Sequence, residues 1–419
     1  MNQTKEFHDF VLNHRSEDPR MLALQSSKYS DIDMRSAVVQ ISGWQVARKK
    51  LPLWADTEGV VFPEHLSMEQ CSSQATAEYK ASVLTDVMKI VNTAGTDGGA
   101  EEHYSIADLT GGFGVDSTML ARGGGHLTFV ERQSELCKLA ENNLPLLGVK
   151  NFEVICGDGT LVLDEMPYQN FIYLDPARRD ANGRKTVEIE DCTPNVIELN
   201  ERLLHKADVV MLKLSPMLDL ASAERRLSGV RQIHIVSVDG ECKEILILLS
   251  QSVISGCDDK KIVCANITSN GNSVFSFTRE SERNAECHYS SVVQSYLYEP
   301  NASVMKAGCF KAVADKCAVE KLHPNSHLYT SQNYVHNFPG RIFAVEAVSA
   351  FTKRDLRTFI SGIDKANLSV RNFPAQVAEL RKRFNIREGG DIYLFATTLS
   401  DGKHVMIKCR KENHPHTAM

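Results

Sequence analysis

The chain has 419 residues, 42% hydrophobic and 24% charged, with a net charge of −6. This is the composition of globular domains, two to four of them at roughly 100–200 residues each. It excludes a disordered or collagen-like chain, and no run approaches the ~20 apolar residues of a membrane span. Eleven cysteines occur, none in a Cys-x-x-Cys pair. Packing cysteines in a reducing, cytoplasmic setting are therefore expected, and a metal site is not. Residues 1–6 show no apolar run behind a basic start, so no secretory leader is expected.

Residues 1–100 read as a helical region. Within 36–51, Ala37, Ile41, Trp44 and Leu51 recur on one face at helical spacing. Ser72 and Ser73 are good caps for a second helix. Its apolar stripe is Tyr79, Val83, Val87, Ile90 and Val91, and it runs into a turn-rich linker at Gly95, Gly98 and Gly99. From Ser105 short apolar runs (106–109, 127–130, 152–155, 171–174, 209–214, 233–238 and 245–249) alternate with helical patterns such as 134–147 and 193–205. That alternation predicts a mostly parallel sheet covered on both faces. Only 239–244 joins the last two runs, too short for a crossover, so the final strand is expected to be antiparallel. A hairpin is predicted over 261–268 and 273–278. Residues 289–333 read as strand, helix from Asn301, strand; 335–411 read as strand, helix, strand, helix and hairpin. The expected domains are 1–100, 101–280, 289–333 and 335–411, with 413–419 as a disordered tail.

The first strand runs into Asp108-Leu109-Thr110-Gly111-Gly112-Phe113-Gly114. Glycines between a strand and a helix let backbone N–H groups approach a ligand. A dinucleotide fold seats a pyrophosphate with Gly-x-Gly-x-x-Gly, but after Gly112 and Gly114 the third place holds Ser117. Asp108 would repel phosphate and suits a ligand bearing an ammonium and a sulfonium, as S-adenosylmethionine does. Glu131, ending the second strand, can accept both ribose hydroxyls. Asp158, in Cys156-Gly157-Asp158-Gly159 after the third strand, can accept the adenine amino protons. Asp108, Gly111, Gly112, Gly114, Glu131, Gly157 and Asp158 are thus the expected cofactor-binding set.

The fourth strand ends Tyr173-Leu174-Asp175-Pro176-Ala177-Arg178-Arg179, at the sheet edge where ligands gather in such folds. Asp-Pro here resembles the Asp/Asn-Pro-Pro-aromatic motif of amino-methyltransferases. The resemblance implies that Asp175 and Pro176 aim an exocyclic amine at the methyl group, and positioning supplies much of the catalysis. Ala177 replaces the second proline and Arg178 the stacking aromatic. Asp-Pro-Ala-Arg also resembles the RNA 5-methyluridine methyltransferases, which need a cysteine after the fifth strand. The corresponding Met211-Leu212-Lys213-Leu214-Ser215-Pro216-Met217 has none, so a covalent pyrimidine adduct is not expected. Asp175, Pro176 and Arg178 are the catalytic candidates. Arg178 and Arg179 either bind phosphate or substrate, or pair with Asp180 or Glu188.

In the order of its parts the chain resembles, over nearly its whole length, the bacterial class I SAM-dependent methyltransferases with a C-terminal THUMP-like domain. Residues 69–80, 175–179, 328–331, 338–341 and 371–374 carry the resemblance. It implies an α/β fold: a Rossmann-like class I sheet, an N-terminal helical region, and small C-terminal α+β domains, ferredoxin-like over 289–333 and THUMP-like over 335–411. It also implies an RNA substrate, a tRNA or rRNA base methylated by direct in-line transfer. The cap-guanine methyltransferases are similar in layout and imply that Ser73, Thr76 or Lys80 touches the methionine carboxylate; the alternative is a cap and a helix surface.

Residues 335–419 hold fourteen Lys/Arg and eight Asp/Glu, a local +6 that leaves −12 for the remainder. A basic module on an acidic body fits a phosphate backbone. Lys353, Arg354, Arg357, Arg381, Lys382, Arg383 and Arg387 form the expected RNA face or, alternatively, a solvated one. His323 and His327 could share a metal only within a helix, which Pro324 opposes. A protein or small-molecule acceptor, and a non-catalytic SAM-binding module on RNA, remain alternative readings.

Overall fold

The structure, a computed structural model, describes residues 4–93, 104–178, 189–252, 260–269 and 271–412. The expected linker at Gly95–Gly99, the tail beyond 412, and Arg179 with its candidate partners Asp180 and Glu188 lie outside the described residues. The chain divides into two compact units. One is Met1–Ile233 with Ile245–Asp259, the other His234–Glu244 with Lys260–Met419.

In the first unit, helices Lys5–His14, Pro19–Leu24 and Met34–Lys50 enclose Phe7, Phe10, Leu22, Met34, Ala37 and Ile41. A second cluster joins Trp54, Phe62, Met68 and Ala77 of the N-terminal region to Phe113, Val115 and Met119 of the glycine loop and its helix. The helical region thus shares a core with the glycine loop and the helix that follows it. Helix Gln74–Thr93 starts where Ser73 Oγ accepts from the Thr76 N–H at 3.3 Å. Its buried stripe ends at Met88, and Ile90 is exposed.

Seven strands follow in sequence, β1 (Ser105–Asp108), β2 (His126–Glu131), β3 (Phe152–Cys156), β4 (Gln169–Leu174), β5 (Ala207–Leu214), β6 (Val230–Val238) and β7 (Glu241–Leu249), of which His234–Glu244 in β6 and β7 counts with the second unit. They pair in the order β3-β2-β1-β4-β5, all parallel, and β7 lies antiparallel beside β5. Crossovers run through helices such as Val115–Ala121, Ser134–Leu146 and Val196–Lys206. Strands covered on both faces need apolar residues throughout. Phe171 to Leu174 and Val209 to Leu212 are each at most 1% exposed. The register sets Asp108 opposite Tyr173, and Leu174 opposite Leu212. The carboxyl ends of β1, β4 and β5 therefore finish level.

In the second unit, Lys261–Thr268 and Gly271–Thr278 form the antiparallel hairpin. A seven-stranded sheet follows, in the order Glu320–Lys321, Tyr329–Ser331, Tyr296–Pro300, Gly340–Ala350, His404–Lys411, Ile392–Thr398, Asn367–Arg371. Gly340–Ala350 pairs with Tyr296–Pro300 on one side and His404–Lys411 on the other. The two small domains expected at 289–333 and 335–411 therefore share one sheet. Helices Lys353–Phe359 and Val377–Phe384 bury Leu356 and Leu380. They leave Lys353, Arg354, Arg357, Lys382, Arg383 and Arg387 exposed. Arg381 is an exception: half-buried, it donates to the Ala366 carbonyl. His327 stacks on Phe310 at 3.7 Å between ring centroids, and burial pushes its imidazole down to about 4. Among the described residues no group of His, Cys, Asp and Glu could hold a metal ion.

Candidate active site

The level strand ends of the first unit open onto a cleft of about 1080 Å³. That volume is enough for a nucleotide-sized ligand and part of a second molecule. Asp108, Gly111, Gly112, Gly114, Glu131, Asp158, Asp175 and Pro176 all line it. Gly157 is not among the lining residues. The Gly157 N–H is spent on the Glu131 carbonyl at 2.9 Å. Ala177–Arg178 pairs as a short strand with Cys192–Thr193, and the Arg178 side chain lies outside what is described.

The glycine loop is held by contacts that its sequence only partly announces. A Cβ on Gly111 would lie 2.3 Å from Cζ of Phe129, which is itself fully buried. Gly112 and Gly114 adopt φ of +56° and +83°, the left-handed region that favours glycine. The Gly112 N–H donates to Glu131 Oε2 at 2.9 Å, and the Gln133 N–H to Glu131 Oε1 at 2.8 Å. Glu131 thus latches the loop with one lone pair of each oxygen and keeps the others. Gly111→Ala is expected to lower stability by about 1–3 kcal/mol through the forced shift of Phe129. An unchanged melting temperature would contradict the close approach.

Asp108 is buried beneath this loop. Its Oδ1 accepts from the Thr110 N–H at 2.9 Å and its Oδ2 from the Ser117 hydroxyl. Burial pushes its carboxyl up to about 7 against those bonds, with Asp116 and Asp175 adding to the rise. An acid that ionises near 3.8 when unfolded and near 7 when folded carries its proton into the fold. Its contribution to stability is complete below the unfolded value and is lost as pH rises toward 7. Between pH 5 and 7 the wild type should lose about 2 kcal/mol relative to Asp108→Asn. A stability difference between the two proteins that stays constant over that range would refute this. Asp158 behaves oppositely: bonds from the Thr160 hydroxyl and N–H hold it below the usual carboxylate range.

Thr110 joins this loop to the next. Its hydroxyl accepts from the Asp175 N–H at 2.7 Å and lies 3.3 Å from Asp108 Oδ1. The Asp175 carboxylate pairs with Lys213 at the end of β5. Behind them Asp116 Oδ2 accepts from Ser72 at 2.7 Å and Tyr173 at 2.8 Å, and Lys80 lies 3.2 Å from Oδ1. Burial opposes charge on Asp116, but Lys80, Lys213 and the two hydroxyls hold it below the usual range. Thr110, Asp116, Tyr173 and Lys213 are site residues that sequence reasoning missed. The only signal for Lys213 is a charge inside the apolar run of β5.

Ser73, Thr76 and Lys80 do not line the cleft. Ser73 caps its helix, while Thr76 and Lys80 are 2% and 0% exposed. Ser73 thus fits the cap alternative, whereas Thr76 and Lys80 are buried and not on a helix surface. Residues 69–72 line the cleft instead, among them Cys71. Its thiol donates to the Met68 carbonyl, and burial pushes it up, so it is not an activated nucleophile.

A parallel sheet in the order β3-β2-β1-β4-β5, an antiparallel β7 beside β5 and a glycine loop after β1 make a class I methyltransferase fold. Residues 296–339 match a ferredoxin-like domain, and residues 340–411 a THUMP domain-like domain. A crystal structure of a Porphyromonas gingivalis W83 protein assigned as a methyltransferase is 31% identical, with a TM-score of 0.84, over 99% of this chain and 100% of that one. The chain belongs to the same family, class I methyltransferases that carry a ferredoxin-like and a THUMP-like domain in their C-terminal part. A SAM-dependent methyltransferase from Agrobacterium tumefaciens is 15% identical over 42% of this chain and 61% of that one, with a TM-score of 0.31. A Pyrococcus horikoshii protein assigned as an RNA methyltransferase is 17% identical over 50% and 98%, with a TM-score of 0.32. Likenesses of that size carry no argument. No protein of curated function matches the chain.

Proposed function

We propose that this protein transfers a methyl group from S-adenosylmethionine to RNA by direct in-line displacement. The observation that carries the cofactor is the charge of the cleft. Seven acidic side chains line it (Glu69, Asp108, Asp116, Glu131, Asp158, Asp175 and Glu198, with Asp108 raised to about 7) against three cations, Arg132, Lys213 and Arg202. Such a wall repels a pyrophosphate and favours a ligand with a sulfonium and an ammonium. Glu131 keeps lone pairs for a vicinal diol, Asp158 can accept an amino group, and Asp108 can ionise against a cation. Once bound, the cofactor supplies an electrophilic methyl group. Asp175 and Pro176 then border the acceptor.

Direct transfer is supported by the lining cysteine, whose protonated thiol offers no nucleophile. RNA is supported by the THUMP-like match and by the exposed basic residues on Lys353–Phe359 and Val377–Phe384. Tritiated S-adenosylmethionine incubated with RNA from a deletion strain should label it, and wild-type RNA should be labelled far less. Equal labelling of both removes the RNA assignment. Tight cofactor binding with no methylated product on any RNA pool favours a non-catalytic module. Binding to RNA should also weaken steeply with salt; binding that ignores salt favours a protein or small-molecule acceptor.

A further inference from the structure

The pair Lys213–Asp175 bears on which kind of atom receives the methyl group. Leu174 and Leu212 are partners across β4 and β5, so the next residues, Asp175 and Lys213, stand side by side at the carboxyl edge. The Lys213 ammonium donates to Asp175 Oδ2. Lys213 is almost buried, whereas the Asp175 side chain is 33% exposed and lines the cleft. Thr110 fixes the Asp175 backbone at 2.7 Å. Among the described residues Oδ1 takes no hydrogen bond. The carboxylate is therefore held in place, with one oxygen left for a ligand.

An exocyclic amine on a nucleobase needs a different site. It presents two protons, and a base held in a pocket is usually stacked on an aromatic ring, which the exposed apolar lining residues Leu66 and Met217 do not supply. No Phe, Tyr or Trp occurs between Tyr173 and Phe275 in the sequence. The aromatic residues that line the cleft, Phe113 and Tyr173, are 5% and 1% exposed, and the Tyr173 hydroxyl is spent on Asp116. A hydroxyl asks for one acceptor and no stacking.

We infer that the methyl acceptor at this site is a hydroxyl oxygen, in RNA the ribose 2′-OH, with Asp175 as proton acceptor and Lys213 as its positioning residue. The inference rests on the RNA methyl-transfer reading above. A lone pair of the hydroxyl oxygen forms the O–C bond to the methyl carbon. The S–C bond breaks, and sulfur keeps that electron pair. The hydroxyl proton becomes strongly acidic as oxygen bonds to carbon, and it passes to Asp175 Oδ1. Lys213 holds Oδ2 and leaves Oδ1 turned to the acceptor.

The full-length protein, deuteromethyl S-adenosylmethionine and total RNA from a deletion strain provide the test. Nucleosides from the product are fragmented at the glycosidic bond in a mass spectrometer. The label is expected on the sugar, with the base fragment unlabelled. Label on the base overturns the inference. No label on any RNA overturns the RNA reading first, and this inference with it.

Asp175→Asn should lower the rate by about 10²-fold or more. Lys213→Met should move the acid limb of the rate–pH profile upward, because the carboxylate has lost its cation, and Lys213→Arg should move it back. Titration calorimetry with S-adenosylhomocysteine should give affinities within about threefold of wild type for all three variants. A Lys213→Met limb that stays in place overturns the positioning role, and a calorimetric loss as large as the rate loss assigns the pair to cofactor binding instead.

Discussion

Asp116→Ala is expected to cost about 3–5 kcal/mol of stability, because it removes a buried carboxylate that pairs with a buried lysine. Lys80 is 0% exposed and lies 3.2 Å from Asp116 Oδ1. The same substitution removes the acceptor of the Ser72 and Tyr173 hydroxyls. Lys80→Met should be milder, since Asp116 keeps both hydroxyls and the nearby Lys213. The two single variants thus separate the loss of the carboxylate from the loss of the ammonium. Joining Lys80→Met to Asp116→Leu should recover part of the loss, because a buried pair replaced by apolar residues of similar volume is often close to neutral. Urea unfolding followed by tryptophan fluorescence reports the right part of the chain, as Trp44 and Trp54 both lie in the first unit. An Asp116→Ala midpoint equal to wild type, or a Lys80→Met loss larger than that of Asp116→Ala, would refute the account.

That pair also shows where sequence reading stops. The strands of the sheet are legible because each is a short apolar run that both faces cover, and their bounds differ by a few residues at most. The glycine loop is legible too, since positive φ at Gly112 and Gly114 leaves a signature in residue type. The reason for Gly111 is not, because Phe129 reaches it from a neighbouring strand. Lys80 reads like a helix-surface residue: nothing local marks a lysine whose partner, Asp116, lies on another helix far along the chain. Glu131 is legible as a strand-end carboxylate, but its bonds to Gly112 and Gln133 depend on how two loops meet. Composition also cannot show that Gly340–Ala350 pairs on both sides, with Tyr296–Pro300 and with His404–Lys411.

Glu131→Gln is expected to weaken S-adenosylhomocysteine binding on the order of 10²-fold. Each Glu131 oxygen already accepts one backbone N–H and retains a second lone pair. In the proposed complex those remaining pairs take the two ribose hydroxyls. The substituted glutamine would present an amide nitrogen in place of one oxygen, so a donor would face either the Gly112 or the Gln133 N–H. The loop then loses a charge-assisted bond and the ligand loses an acceptor, together about 3 kcal/mol, which is roughly 10²-fold in affinity. Loss of loop order alone could produce the same number, and a double cycle separates the two. Wild type should bind the 2′-deoxy analogue of S-adenosylhomocysteine about tenfold more weakly than the ribose form, whereas Glu131→Gln should scarcely distinguish them. An equal penalty for the missing hydroxyl in both proteins would place Glu131 in the loop's scaffold and leave the ribose to some other acceptor in the cleft.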